Sequence, residues 1–188
     1  MILLRHGQTI FNLHFSKDRI DPGIPDPELT LVGREQAAHA AALLASEAIT
    51  RIVSSPYTRA IETALIVGEY LRLNVEIDPD IRERAGFSCD IGSTPEDLIA
   101  RWPSLDFSGL ETEWWAYSGD PLKSGLDEPE PYFLARIEKF RRRLSNQSDW
   151  KNTLVVCHWG PIRAMTGQQI ENGYFVKHDP RSSMQSAT

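Results

Sequence analysis

Ile2-Leu3-Leu4-Arg5-His6-Gly7-Gln8-Thr9 is a short apolar run that breaks off into cationic and polar residues. Residues 2–4 read as a buried strand ending at Arg5. Moving outward, the same pattern returns. Arg51-Ile52-Val53-Ser54 forms a second short strand and runs into Ser55-Pro56-Tyr57-Thr58-Arg59. Residues 75–77 form a third, closed by Asp78-Pro79. Thr153-Leu154-Val155-Val156-Cys157 is a fourth, β-branched and apolar, and leads into His158-Trp159-Gly160. Helical segments fill the intervals. Thr30 is placed to cap a helix over the alanine-rich residues 34–48. Ala60, Ala64, Val67 and Leu71 mark a helix over 57–73, and residues 95–101 a short one. Phe133, Ile137, Phe140 and Leu144 share one face of a further helix, and residues 160–170 read as the last. Residues 15–27, rich in Asp, Pro and Gly, read as a loop. Alternating strands and helices predict an α/β domain with a mainly parallel sheet. In such a sheet ligands bind beyond the carboxyl ends of the strands.

Composition narrows the function. The 188 residues suit one domain able to bury a core without a disulfide or a structural metal. The net charge of −6 opposes nonspecific binding to nucleic acid or anionic membrane, so an anionic ligand has to be drawn by a local cluster of cations. Two cysteines, Cys89 and Cys157, make no disulfide framework and no paired-cysteine zinc site. With no leader or membrane-spanning run read in the sequence, the expected location is the cytoplasm. No cofactor and no metal are expected, and the oligomeric state is not legible. Residues 1–176 are expected to form the domain and 177–188 a mobile tail. Residues 86–131 are irregular and hold Trp102, Trp114 and Trp115, which read as the packed core of a cap over the site.

Three of the four strand ends carry residues suited to phosphate chemistry. Parallel strands present those ends on one edge, so Arg5, His6, Arg59 and His158 are predicted to meet there. Phosphoryl transfer depends on positioning and on stabilising charge spread over oxygens. Arginine grips phosphate oxygens in pairs. A neutral imidazole attacks phosphorus once its other nitrogen is held as a donor. A carboxylic acid of raised pKa then protonates the leaving oxygen.

These motifs resemble those of the histidine phosphatase superfamily, also called phosphoglycerate mutase-like. Arg5-His6-Gly7-Gln8-Thr9 with Asn12 is similar to its opening motif, and Ser54-Ser55-Pro56-Tyr57-Thr58-Arg59 to its second. Ile81-Arg82-Glu83 is similar to its acidic segment, Val156-Cys157-His158-Trp159-Gly160 to its second histidine motif, and Asn172-Gly173 to its closing feature. The resemblance implies a mainly parallel sheet with helices on both faces and a metal-independent phosphatase acting on a small phosphorylated substrate. It implies that His6 becomes phosphorylated, that Arg5, Arg59 and His158 bind the phosphoryl group, that Glu83 is the proton donor, and that Asn12 touches a phosphate oxygen. The stretch after the opening motif, Leu13-His14-Phe15-Ser16-Lys17-Asp18, departs from the glycolytic mutases, which favours hydrolysis over mutase-type transfer. Cys89-Asp90-Ile91-Gly92 departs from the family's usual pattern after the acid.

Each residue also has a plainer reading. His6 and His158 could be structural histidines, Arg59 a helix-surface arginine, and Asn12 a turn residue. Glu62, Asp80 and Asp90 compete with Glu83 for the acid. Cys157 and Arg163 stand at the spacing of cysteine-dependent phosphatases, although Pro161 removes a donor from such a phosphate cradle. A phosphate-binding module without turnover is the non-enzymatic alternative. His14, His39 and His178 read as surface or loop residues.

Overall fold

The computed structural model describes residues 1–116 and 127–182. Its sheet has five strands in the order β3-β2-β4-β1-β5: β1 (Ile2–Arg5), β2 (Arg51–Ser54), β3 (Val75–Ile77), β4 (Thr153–Cys157) and β5 (Phe175–Lys177). The pairs β1–β4, β4–β2 and β2–β3 are parallel, and β5 runs antiparallel along the edge of β1. The mainly parallel sheet predicted from the sequence is therefore present, with one added antiparallel edge. The helices are α1 (Ile10–Asp18), α2 (Leu31–Leu44), α3 (Thr58–Leu71), α4 (Pro95–Arg101), α5 (Glu130–Ser145) and α6 (Trp159–Thr166).

Strand side chains alternate between two cores. Ile2, Leu4, Ile52, Leu154 and Val156 pack with Ala40, Ala41 and Leu44 of α2 and Ala60, Ala64 and Val67 of α3. On the other face Leu3, Val53, Val155 and Cys157 pack with Ile137, Phe140 and Leu144 of α5 and Ile162 of α6. Helices thus cover both faces, which is why the central strands are apolar throughout.

Several boundaries differ from the sequence reading. Residues 15–27 are not all loop, because α1 runs to Asp18. Thr9 caps α1 through a capping box with Asn12, and Phe11 stacks on Phe15 one turn later at 5.3 Å. Helix α2 stops at Leu44, short of 48, because the chain turns there to enter β2, with Glu47 N–H donating to Leu44 O. Helix α6 stops at Thr166, short of 170, because Gly167 takes a left-handed conformation (φ 71°) as its C-cap. The expected domain edge at residue 176 falls inside β5. Beyond it, Met1 and His178 exchange backbone hydrogen bonds, and Arg141 donates to the carbonyls of Pro180 and Ser182. Of the tail expected to be mobile, residues 183–188 lie outside the described residues.

Within the segment expected to form a cap, Leu98, Phe107 and Trp114 are buried against Tyr57 and Ile61 of the main body. Trp114 meets Tyr57 edge-on at 4.7 Å, and its indole N–H donates to Ser93 O. Trp102 and Trp115 pack against the same cluster. Residues 117–126 of that segment lie outside the described residues.

Candidate active site

Strand register builds the site. Arg5 is aligned with Cys157, so the next residue of each strand, His6 and His158, emerges at the same carboxyl edge. His6 N–H donates to Cys157 O at 3.0 Å, and the two imidazole centroids lie 5.1 Å apart. On the other side of β4, Ser55 N–H donates to Val156 O at 3.1 Å, which brings Ser55 Oγ to 2.8 Å from His158 Nε2.

Hydrogen bonding to a carbonyl assigns the tautomer of His6. His6 Nδ1 lies 2.8 Å from Gly7 O. A carbonyl only accepts, so the proton sits on Nδ1 and Nε2 keeps its lone pair. His158 Nε2 pairs with the Ser55 hydroxyl at 2.8 Å, and its Nδ1 is a buried atom with no hydrogen-bond partner among the described residues. Gly7 is required sterically. A Cβ there would stand 2.2 Å from Gly33 O at the start of α2, while its N–H donates to Thr63 Oγ1.

Both imidazoles are held neutral. His6 has its pKa pushed well below the usual histidine value, first by burial and then by the charges of Arg59 and Arg5. His158 is pushed down likewise by burial, Arg59, His6 and Arg5. The two arginines predicted to join the histidines therefore do so. Arg5 donates from Nη1 to Ile170 O at 2.8 Å, and its Nε has no partner among the described residues. Arg59, only 3% exposed, is not a helix-surface residue. It donates to Cys89 O at 2.6 Å and to Asp90 Oδ1 at 3.0 Å, and lies over the Tyr57 ring at 4.2 Å. Tyr57 in turn meets His158 edge-on.

Glu83 reaches the same edge from the loop that follows β3. Its carboxylate accepts from Gly160 N–H at 3.1 and 3.2 Å and from Arg84 N–H at 2.9 Å. Gly160 must lack a side chain, since a Cβ would stand 2.2 Å from Glu83 Oε1. Burial, reinforced by the negative charge of Asp90, pushes the Glu83 pKa up to about 7 against the opposing backbone hydrogen bonds and Arg59. The competing carboxylates are engaged elsewhere. Glu62 pairs with Arg34 and Arg101, and Asp80 with Lys139 and Arg143. Asp90 is bound to Arg59 and accepts from Gly86 and Phe87 N–H.

Asn12 has a capping task. Its Oδ1 accepts from Thr9 N–H and Thr9 Oγ–H, and Asn172 Nδ2 donates to His6 O beside it. Cys157 is fully buried in the apolar cluster with Leu3 and Val155, and burial pushes its thiol pKa upward, away from a reactive thiolate. His14 and His39 are exposed as read, whereas His178 is half-buried. Sequence reasoning assigned no task to Ser55, Thr63 or Asn172, although Ser55 and Asn172 fall within the quoted motifs and Thr63 stands one helical turn past Arg59. Asp90 was weighed only as an acid.

The family model described as histidine phosphatase superfamily (branch 1) matches residues 1–179. Glucosyl-3-phosphoglycerate phosphatase of Mycobacterium tuberculosis is 40% identical over 178 residues, covering 91% of this chain and 75% of that protein. The bifunctional protein Rv2228c of the same organism is 31% identical over 174 residues. Those residues cover 92% of this chain, yet the chain spans only 44% of that relative's length. Among solved structures, mycobacterial glucosyl-3-phosphoglycerate phosphatase in complex with VO3 superposes with a TM-score of 0.63 at 25% identity, covering 93% of this chain and 88% of that one.

Proposed function

This chain belongs to the histidine phosphatase superfamily, branch 1, and we propose that it hydrolyses phosphomonoesters through a phosphohistidine formed on His6. The observation that carries this reading is the pair of neutral imidazoles 5.1 Å apart, one of them with Nδ1 fixed on Gly7 O. That leaves His6 Nε2 as the nucleophile. Arg5, Arg59 and His158 receive the non-bridging phosphoryl oxygens, and the Nδ2 amide of Asn12 is a further donor to them. Nε2 bonds to phosphorus as the ester P–O bond breaks, and the proton on Glu83 passes to the departing oxygen. Glu83, now a carboxylate, takes a proton from water. The resulting hydroxide bonds to phosphorus, the P–N bond breaks, and phosphate leaves with His6 neutral and Glu83 protonated again.

The proposed substrate is a small phosphorylated metabolite. The named phosphatase relatives support this class, and glucosyl-3-phosphoglycerate is the first ester to assay. The two unpaired cysteines support the expected cytoplasmic location. A panel of phosphate esters assayed with EDTA present, on wild type and His6→Ala, tests the proposal. Turnover by wild type alone, with a trapped phosphoenzyme that decays in acid, is the expected result. An acid-stable adduct or an active His6→Ala would overturn it, and tight phosphate binding without turnover of any ester would make the chain a binding module.

A further inference from the structure

Glu83 sits in irregular backbone. The 3-10 turn Pro79–Ile81 ends just before it, and no strand or helix includes residues 82–85. The carbonyls of such a segment still need donors when they are turned inward. Here one side chain donates to two of these carbonyls and to one carbonyl of the turn before them. Arg136 of α5 donates from Nη1 to Asp80 O at 2.8 Å and to Arg82 O at 2.9 Å, and from Nη2 to Glu83 O at 3.4 Å. Its remaining donors grip Glu128, Nε to Oε1 at 3.0 Å and Nη2 to Oε2 at 2.5 Å. Glu128, 3% exposed, also takes Arg82 at 3.5 Å, and its backbone N–H donates to Ala85 O. The same face of α5 adds Lys139 and Arg143, three and seven residues on, which hold the Asp80 carboxylate; Arg143 also reaches Asp78.

A buried ion pair contributes little net stability compared with apolar residues of the same shape. Its worth here is therefore geometric. Only a planar, five-donor group can hold a carboxylate and the carbonyls of Asp80, Arg82 and Glu83 together. We propose that Arg136, oriented by Glu128, is a positioning residue that fixes the backbone carrying Glu83 so that its carboxyl stays against Gly160 and within reach of the leaving oxygen. This rests on Glu83 as the proton donor.

The test reads leaving-group release in a single turnover from two esters. An alkyl phosphate needs a proton on its leaving oxygen, and a dinitrophenyl phosphate does not. The variants are Glu83→Gln and the pair Arg136→Met with Glu128→Gln, which keeps an acceptor for Arg82 and leaves neither partner of the ion pair charged. Thermal melting of each variant is recorded alongside. The paired variant is expected to lose about a hundredfold on the alkyl ester, the scale of an ångström's misplacement, and to change only a few-fold on the aryl ester. Adding Glu83→Gln to it should bring little further loss. Equal losses on both esters, or none, in the paired variant while Glu83→Gln shows the split would overturn the role of Arg136 and leave Glu83 standing. The absence of a split in Glu83→Gln would instead remove Glu83 as the acid. If the paired variant melts below assay temperature, Arg136→Lys takes its place, since lysine retains the charge for Glu128 but loses the three-carbonyl grip. Collapse of both variants would make the ion pair a structural element and would also overturn the proposal.

Discussion

The strand-end cluster and the Glu83 loop meet at one edge of the sheet, yet they are held in different ways. His6 and His158 follow directly from paired strands, so ladder hydrogen bonds and two apolar cores fix them. Glu83 follows β3, the outermost strand on its side, and is held by a glycine N–H and by buried charges reaching across from α5. The sheet delivers His6 and His158 as part of its own stability. Glu83 has no such support, and the Gly160 N–H and Arg136 hold it instead.

That contrast can be broken at either end. The largest effect is expected at the proposed nucleophile. His6→Ala should lower kcat by at least on the order of a thousandfold, measured on whichever ester the wild type turns over, with no phosphoenzyme trapped. Gly160→Ala strikes the junction between the regions. Its Cβ would enter the space of Glu83 Oε1 and break the hydrogen bond that now lowers the Glu83 pKa. About a hundredfold loss is expected on an alkyl ester, and the alkaline limb of the pH profile should move above its wild-type position.

In the wild type that limb should begin near pH 7, because the proposed reaction needs Glu83 protonated and its pKa is raised to about 7. No limb from His6 is expected around its ordinary pKa, since the ring stays neutral well below that value. Asp90→Asn should move the limb in the opposite direction from Gly160→Ala. Removing the negative charge relieves the repulsion that favours protonated Glu83, and it frees the charge of Arg59 to favour the carboxylate. The limb therefore shifts toward acid. The same change leaves Arg59 buried without its partner and should cost about 3 kcal/mol of stability, read from denaturant unfolding. The smallest kinetic effect belongs to Cys157→Ser. It buries a hydroxyl among apolar side chains at a cost of about 1–3 kcal/mol in stability, while kcat should hold. An inactive but folded Cys157→Ser would return the nucleophile's role to sulfur.

The sequence exposed the two regions unequally, for the same reason that they are held differently. Strand ends are legible because a short apolar run breaking into Arg5-His6-Gly7 or His158-Trp159-Gly160 is a local signal, and the parallel topology does the rest. Strand β5 was missed because two half-buried residues and an exposed lysine on an antiparallel edge carry no such contrast. Helix α1 was missed because its cap, Thr9 with Asn12, coincides with the motif read as phosphate-binding. Asp90 looked like a rival acid because nothing local shows a carboxylate bound to an arginine 31 residues away. Arg136 and Glu128 drew no reading from the sequence. Their burial depends on α5 packing against residues 78–83, which no local pattern reports.

From its order of residues alone this chain settled the alternating strands and helices, the family and the chemical kind of each group at the carboxyl edge, since hydrophobic period and short motifs are written in neighbouring positions. Only the tertiary structure decided which nitrogen of His6 carries the proton, which carboxylate faces the site and which one grips Arg59. Those outcomes depend on distances and burial between residues far apart in the chain, and a hydrogen bond or a displaced pKa exists only once the partners have been brought together.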